Sequence, residues 1–341
     1  MQILKLLVCL FALTPATVSA LDNPAPHAPV VRRWDAISHR AMAAMAYDRL
    51  SQPVRDRVNA LLREHPDLTS LAEGIDVQTI AGMRELFIRV SVWPDRIRSD
   101  ARFYRESSAD ATPTPLLPGF PTMARRDGWH YLTRSFSLDG TPPIALTEPN
   151  AASELPKMAD ALADRAVPAS VRAYHLGWIV HIVGDLHQPV HGTSRSSTAD
   201  PNGDSGANRV WVRTPRSDTD STNLHAVWDG MVGRVSRDFP LDEVARGLES
   251  ALPMADAPGD DLLIPDGAAL AATVKSWADE SATLARYVAY DLPPREGNAP
   301  PMLSTDYLAR GEVIARTRLA LAAYRLAALL EARLGDRAPA K

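Results

Sequence analysis

The segment from Pro168 to Gln188 constrains this 341-residue chain more than any other. Ile179, Val180, Ile182 and Val183 surround His181, so a helix here is apolar nearly all round and belongs in the interior. Pro168 suits its first turn and Pro189 stops it. His181 and Asp185, four residues apart, share one face of that helix. Buried polar groups need partners. Either these two satisfy each other, or a cation satisfies both.

The rest of the chain reads as helices joined by irregular loops. Helical periodicity covers Ser38–Leu50, Pro53–Arg63 (with Ser51 as its cap), Val77–Val92 and Asn150–Asp164. It resumes at Asn223–Val232, Leu241–Leu252, Ala268–Tyr290 and Ser304–Leu334. Asp110–Pro121 is Pro-rich and reads as loop. Ser194–Ser221 is rich in Gly, Ser, Asp and Asn, with one strand-like run at Arg209–Arg213, and reads as a long loop holding a hairpin. The expectation is one mainly α-helical domain over residues 34–333 with little sheet, followed by a loose tail at 334–341. A hydrophobic content of 45% is ample for its core.

Residues 1–20 have the pattern of a secretory signal peptide: Lys5, an apolar run Leu6–Leu13, and a small-residue cleavage site, Val18-Ser19-Ala20. Residues 21–33, with Pro24, Pro26 and Pro29, read as an extended linker. No other run is apolar for long enough to span a bilayer. The expected location is secreted or periplasmic, with no membrane anchor and no protein partner implied. Cys9 lies in the leader, so the mature chain has no disulfide and no thiolate metal site. The formal net charge is −4, or −5 once Lys5 is removed with the leader. A nucleic-acid binder relying on a basic groove would be positive, so a chain like this needs another source of positive charge, such as metal ions.

Of nine histidines, four lie between His175 and His191, and His225 and Asp229 repeat the four-residue spacing of His181 and Asp185. Imidazole and carboxylate donors suit zinc in a catalytic site. The run His181-x-x-Gly184-Asp185-x-His187-Gln188-Pro189-x-His191, followed by Asn223-Leu-His225-x-x-Trp228-Asp229, resembles the S1/P1 nuclease family, trinuclear zinc enzymes related to bacterial zinc-dependent phospholipase C. Trp34-Asp-Ala-Ile-Ser-His39, Trp93-Pro-Asp95-Arg-Ile-Arg98 and Trp129-His130-Tyr131 are similar to further family segments, in family order along the whole mature chain.

The resemblance implies a multi-helix, single-domain phospholipase C/P1 nuclease-like fold and three Zn²⁺ ions. Asp95, His130, His181 and Asp185 would hold the first; His191, His225 and Asp229 the second; His39, Asp185 and the backbone of Trp34 the third. Three divalent ions would outweigh three aspartates by about three positive charges, which suits a phosphodiester. Arg98 would act with Asp95 in catalysis by neutralising charge on phosphoryl oxygens. Tyr131 would stack on a base or serve as a core tyrosine. Asn208 would contact substrate or shape a turn. His187 reads as an orienting neighbour, or as a ligand in place of His191; His175, His65 and His27 read as incidental. Trp34, Trp93, Trp129 and Trp228 pack the site or simply the core.

Three positions depart from the family pattern. Trp34 would need a second cleavage, after Arg33, to offer a free amine. Thr133 stands where an acidic base-recognising residue is common, and Ala207 stands where the family has glycine. The implied activity is hydrolysis of single-stranded DNA and RNA to 5′-phosphorylated products, with nucleotides as further substrates. The alternatives are a zinc-dependent phospholipase C, which tends to have Glu where Asp229 stands, and a non-catalytic zinc-stabilised binding protein.

Overall fold

The computed structural model describes residues 36–107, 111–215, 217–233, 239–252, 262, 264–295 and 297–336. The expected leader, linker, Trp34 and the last five residues of the tail lie outside them. The helices are α1 (Ala36–Arg49), α2 (Gln52–Arg63), α3 (Leu68–Leu71), α4 (Ile80–Val90), α5 (Trp93–Ile97), α6 (Ala151–Ala163), α7 (Ala169–Asp185), α8 (Leu224–Asp229), α9 (Leu241–Ala251), α10 (Gly267–Leu284) and α11 (Thr305–Leu334). The strands are few and short: β1 (Arg134–Ser137), β2 (Thr193–Ser196), β3 (Trp211–Thr214) and β4 (Ser217–Asn223). The fold is mainly α, as expected.

Local chemistry explains many of the boundaries. Thr79 caps α4 by accepting from Gly82 N, and Asn150 caps α6 in a reciprocal box with Ser153. Asn223 and Ser304 cap α8 and α11. Ser51 precedes α2, but its side chain makes no cap; its N–H and hydroxyl donate to Glu331 near the end of α11. Pro168 leads into α7, which ends at Asp185 rather than Gln188 because the chain tightens into a turn and then a 3-10 segment, Pro189–Gly192.

α7 runs through the interior. Every residue from Leu176 to Asp185 is buried, and α1, α2, α4, α5, α6 and α11 all pack on it. Beneath α5, Trp93 packs in edge contacts with His65, Phe103, Tyr174 and Trp178, and Trp178 meets Trp129. Trp228 donates to the Tyr307 hydroxyl. All three flanking tryptophans within the described residues are therefore core packing residues, and Trp93 also donates to Asp67 Oδ2.

Two small sheets complete the frame. β1 and β2 pair in parallel, Arg134 opposite Thr193, which ties the segment after His130 to the segment after His191. β3 and β4 form the expected hairpin, with Trp211 opposite Asn223, two residues before His225. The strand is Trp211–Thr214, shifted two residues from the start expected for it.

His65 is not incidental. It is buried under Trp93, its Nδ1 accepts from Asp67 N at 3.1 Å, and burial pushes its pKa down to about 4 from 6.5. The unfolded chain takes up this proton near pH 6.5 and the folded chain only near 4. Stability is therefore lost as pH falls through that window, by at most about 3 kcal/mol from this group. Urea unfolding at pH 6.5 and 4.5 should show a smaller pH-dependent loss in His65→Gln than in the parent chain; equal losses would contradict the assignment.

Candidate metal centre

The eight histidine and aspartate side chains singled out in the sequence converge. α1 supplies His39, α5 supplies Asp95, and the 3-10 turn Asp127–His130 supplies His130. α7 supplies His181 and Asp185, the turn Pro189–Gly192 supplies His191, and α8 supplies His225 and Asp229. Asp185 sits at the centre. Its Oδ1 is 3.4 Å from His39 Nε2 and 3.2 Å from His191 Nδ1; its Oδ2 is 2.9 Å from His181 Nε2 and 3.0 Å from His130 Nδ1. Asp229 lies 3.5 Å from His191 Nε2 and 3.3 Å from His225 Nε2. Asp95 Oδ1 is 4.0 Å from His130 Nδ1.

Three groups of donors are close enough to hold a cation: His39, Asp95 and His181; His130, His181 and Asp185; and His191, His225 and Asp229. The first brings Asp95 beside His39, whereas the family resemblance grouped His39 with Asp185; His39 in fact lies near both, its ring stacked on His181 at 4.2 Å. Gly184 permits this approach, since a Cβ there would fall 2.8 Å from His39 Nδ1.

Backbone contacts fix the tautomers. His181 Nδ1 donates to Ser91 O at 2.7 Å, and His225 Nδ1 donates to Gly206 O at 2.6 Å. In each neutral ring the lone pair is then on Nε2, aimed at Asp185 Oδ2 and Asp229 Oδ2 respectively. Lone pair facing lone pair requires positive charge between them. One proton on His181 Nε2 could serve one acceptor, yet Asp185 Oδ2 and His130 Nδ1 both lie within 2.9 Å of it. A divalent cation accepts lone pairs from all of them, so the donor set fits a metal.

The titration behaviour has the same origin. Burial opposes charge on His191, but Asp185 and Asp229 outweigh it and hold its pKa well above the usual value. Burial would raise Asp185, but His181 and His191 hold it well below the usual carboxylate range. Burial lowers His130 to about 4, and lowers His39 and His225 as well.

The remaining candidates divide. Arg98 stands at the rim, with Nη1 3.4 Å from the Tyr131 hydroxyl and 3.7 Å from Asp95 Oδ1, and Nε 3.2 Å from Asp127 Oδ1. Tyr131 is partly exposed, its ring 5.0 Å from that of His191, so it borders the centre rather than filling the core. Asn208 is exposed and its amide donates to Ser205 O, a turn contact. Ser205, Gly206 and Ala207 all have positive φ, and a Cβ at Gly206 would meet Val190 O at 2.9 Å. That turn delivers the Gly206 carbonyl to His225.

His187 does not face the centre. Its Nδ1 donates to Val183 O, and its Nε2 accepts from Arg325 Nη1 at 2.8 Å, behind α7. The exchange of His187 for His191 therefore fails, and the orienting neighbour is Gln188 instead. Its amide donates to Asp229 Oδ1 at 2.7 Å while its Oε1 accepts from Val190 N. Sequence spacing gave no sign of this, because an uncharged amide carries no titratable or ionic signal that would set it apart. A groove of about 930 Å³ lies between α1, α9 and α11, but Arg84 there is already paired with Asp48 and Asp242, and no histidine lines it.

Replacing Gln188 by Leu leaves Asp229 without that donor. Divalent-metal affinity at the His191, His225 and Asp229 group should fall by about 10–100-fold. Competition with a chromophoric chelator measures this; unchanged affinity would contradict the role given to Gln188.

Nuclease S1 of Aspergillus oryzae is 27% identical over 168 residues, covering 46% of this chain and 53% of that protein. The chain thus spans about half the length of the curated relative it matches. The family model described as S1/P1 Nuclease matches residues 34–335. On that match, the chain belongs to the S1/P1 nuclease family.

Proposed function

We propose that this protein is an exported, zinc-dependent phosphodiesterase that hydrolyses single-stranded DNA and RNA to 5′-phosphorylated products, with 3′-nucleotidase activity alongside. The observation that carries the reading is the convergence of eight histidine and aspartate side chains around one centre, four of the imidazoles closing on buried Asp185, with an arginine at the rim. Membership of the family and the similarity to Nuclease S1 support it. Export rests on the leader pattern at residues 1–20. No helix among the described residues is long and apolar enough to cross a membrane.

Three Zn²⁺ ions fit the donor set. The first would be held by Asp95, His130, His181 and Asp185, the second by His191, His225 and Asp229, and the third by His39 and Asp185 with Trp34. Bound there, they would supply positive charge and a water acidic enough to ionise near neutral pH.

The chain's own residues do the rest. Arg98 lies between Asp127 on one side and Tyr131 with Asp95 on the other, which restrains its guanidinium beside the centre where a phosphate would bind. Charge that builds on the non-bridging oxygens as the bond to the 3′-oxygen breaks is neutralised there. Tyr131 offers an aromatic face beside the centre. Bases in a duplex are already stacked on one another, so such a face favours single strands.

The test uses the secreted protein on single-stranded DNA and on lecithin, with and without chelator. The expected result is release of 5′-phosphorylated nucleotides, abolished by chelation, with lecithin intact. Arg98→Ala should lower kcat by about 10²–10³. Release of phosphocholine with the polynucleotide untouched would replace this reading by the phospholipase C one.

A further inference from the structure

Beyond Arg98 lies a second arginine tied to the same carboxylate. Asp127 Oδ1 is 3.2 Å from Arg98 Nε, and its Oδ2 is 3.1 Å from Arg105 Nε. One carboxylate thus lies between two guanidinium groups, Arg98 on the side of the centre and Arg105 further out. The Arg98 side chain is 13% exposed, whereas Arg105 is 52% exposed. Among the described residues the Asp127 contact is the only ion pair of Arg105, and it engages Nε, so the terminal nitrogens are not used in that pair.

The backbone that carries Arg105 is held in place. Tyr104 N donates to Met123 O, and Arg125 N donates back to Tyr104 O, each at 3.0 Å. The Arg125 side chain donates to Phe103 O at 2.8 Å. The adjacent acid, Glu106, is already engaged by Arg126, through both its guanidinium and its backbone N–H. It therefore does not compete for Arg105. A guanidinium on a fixed backbone, steered by a neighbouring carboxylate, loses little freedom on binding an anion.

We propose that Arg105 is a phosphate-binding residue for polynucleotide substrates, contacting a phosphodiester beside the one that is cut. This rests on the nuclease reading given above. Arg98 serves the reacting phosphate at the centre; Arg105, one carboxylate further out, reaches only a substrate that extends past it. A minimal diester has no second phosphate to place there. The residue therefore sets preference for polymer over small substrate, independent of base sequence.

The experiment compares the parent chain, Arg105→Ala and Arg105→Lys on an oligo-dT strand and on bis(p-nitrophenyl) phosphate, over a range of salt. For Arg105→Ala, the ratio of kcat/KM for the oligonucleotide over the minimal diester should fall roughly tenfold, as for loss of one phosphate contact. The log–log salt dependence of oligonucleotide cleavage should become shallower by about 0.7. Arg105→Lys, which keeps a cation, should recover part of the ratio and most of the salt slope. An unchanged ratio in Arg105→Ala, whether both activities hold or both fall together, overturns the assignment while leaving the nuclease reading intact. A parent chain that cleaves the minimal diester but no oligonucleotide overturns both.

Discussion

Asp185 is the group on which the rest of the molecule depends. It is a buried carboxylate at the last turn of a helix whose inner half is apolar apart from it and His181, and four imidazoles from four separate segments close on its two oxygens. A lone ionised carboxylate in such a place would be very costly. The surrounding nitrogens offset that cost only if positive charge sits among them, as protons or as metal. Because Ser91 O and Gly206 O hold the outer nitrogens of His181 and His225, the inner ones present lone pairs. The centre is built to surround cations rather than to pair with itself.

The fold can be understood as the support for that arrangement. α7 is buried from Leu176 to Asp185, so it cannot tilt without disturbing several neighbours. The turn after it is anchored from behind: Ser281 Oγ donates to Leu186 O, Arg325 donates to His187, and Glu280 holds both Arg318 and Arg325. β1 and β2 then bind the chain leaving His130 to the chain leaving His191. Asp204, buried, accepts from Ser194, Ala207 and Tyr290 and so shapes the loop that delivers Gly206 to His225. The long polar loop read from the sequence is thus part of the centre's framework.

Much of this was legible in the residues. Apolar periodicity and the prolines at 168 and 189 mark the helices closely, because local chemistry decides them, although the cap expected at Ser51 does not form. Helical spacing picked out His181 with Asp185 and His225 with Asp229, whereas His39, Asp95, His130 and His191 were legible only through the resemblance of their flanking segments to a known family. Long-range partners were not. β1 and β2 are short and polar, and their pairing joins segments nearly sixty residues apart with no alternation to announce it. The direction of His187 depends on Arg325 in a distant helix, and Gln188 and Asp127 act through geometry that no spacing encodes. The burial of His65 was not legible either, because only the tertiary packing places Trp93 over it.

The most direct measurement is anomalous X-ray diffraction at the zinc edge on crystals grown with Zn²⁺. The account predicts density peaks at about 2.0–2.2 Å from His181 Nε2, Asp185, His225 Nε2 and Asp229. Crystals whose anomalous peaks all lie away from these atoms, with the imidazole–carboxylate contacts unchanged, would contradict it.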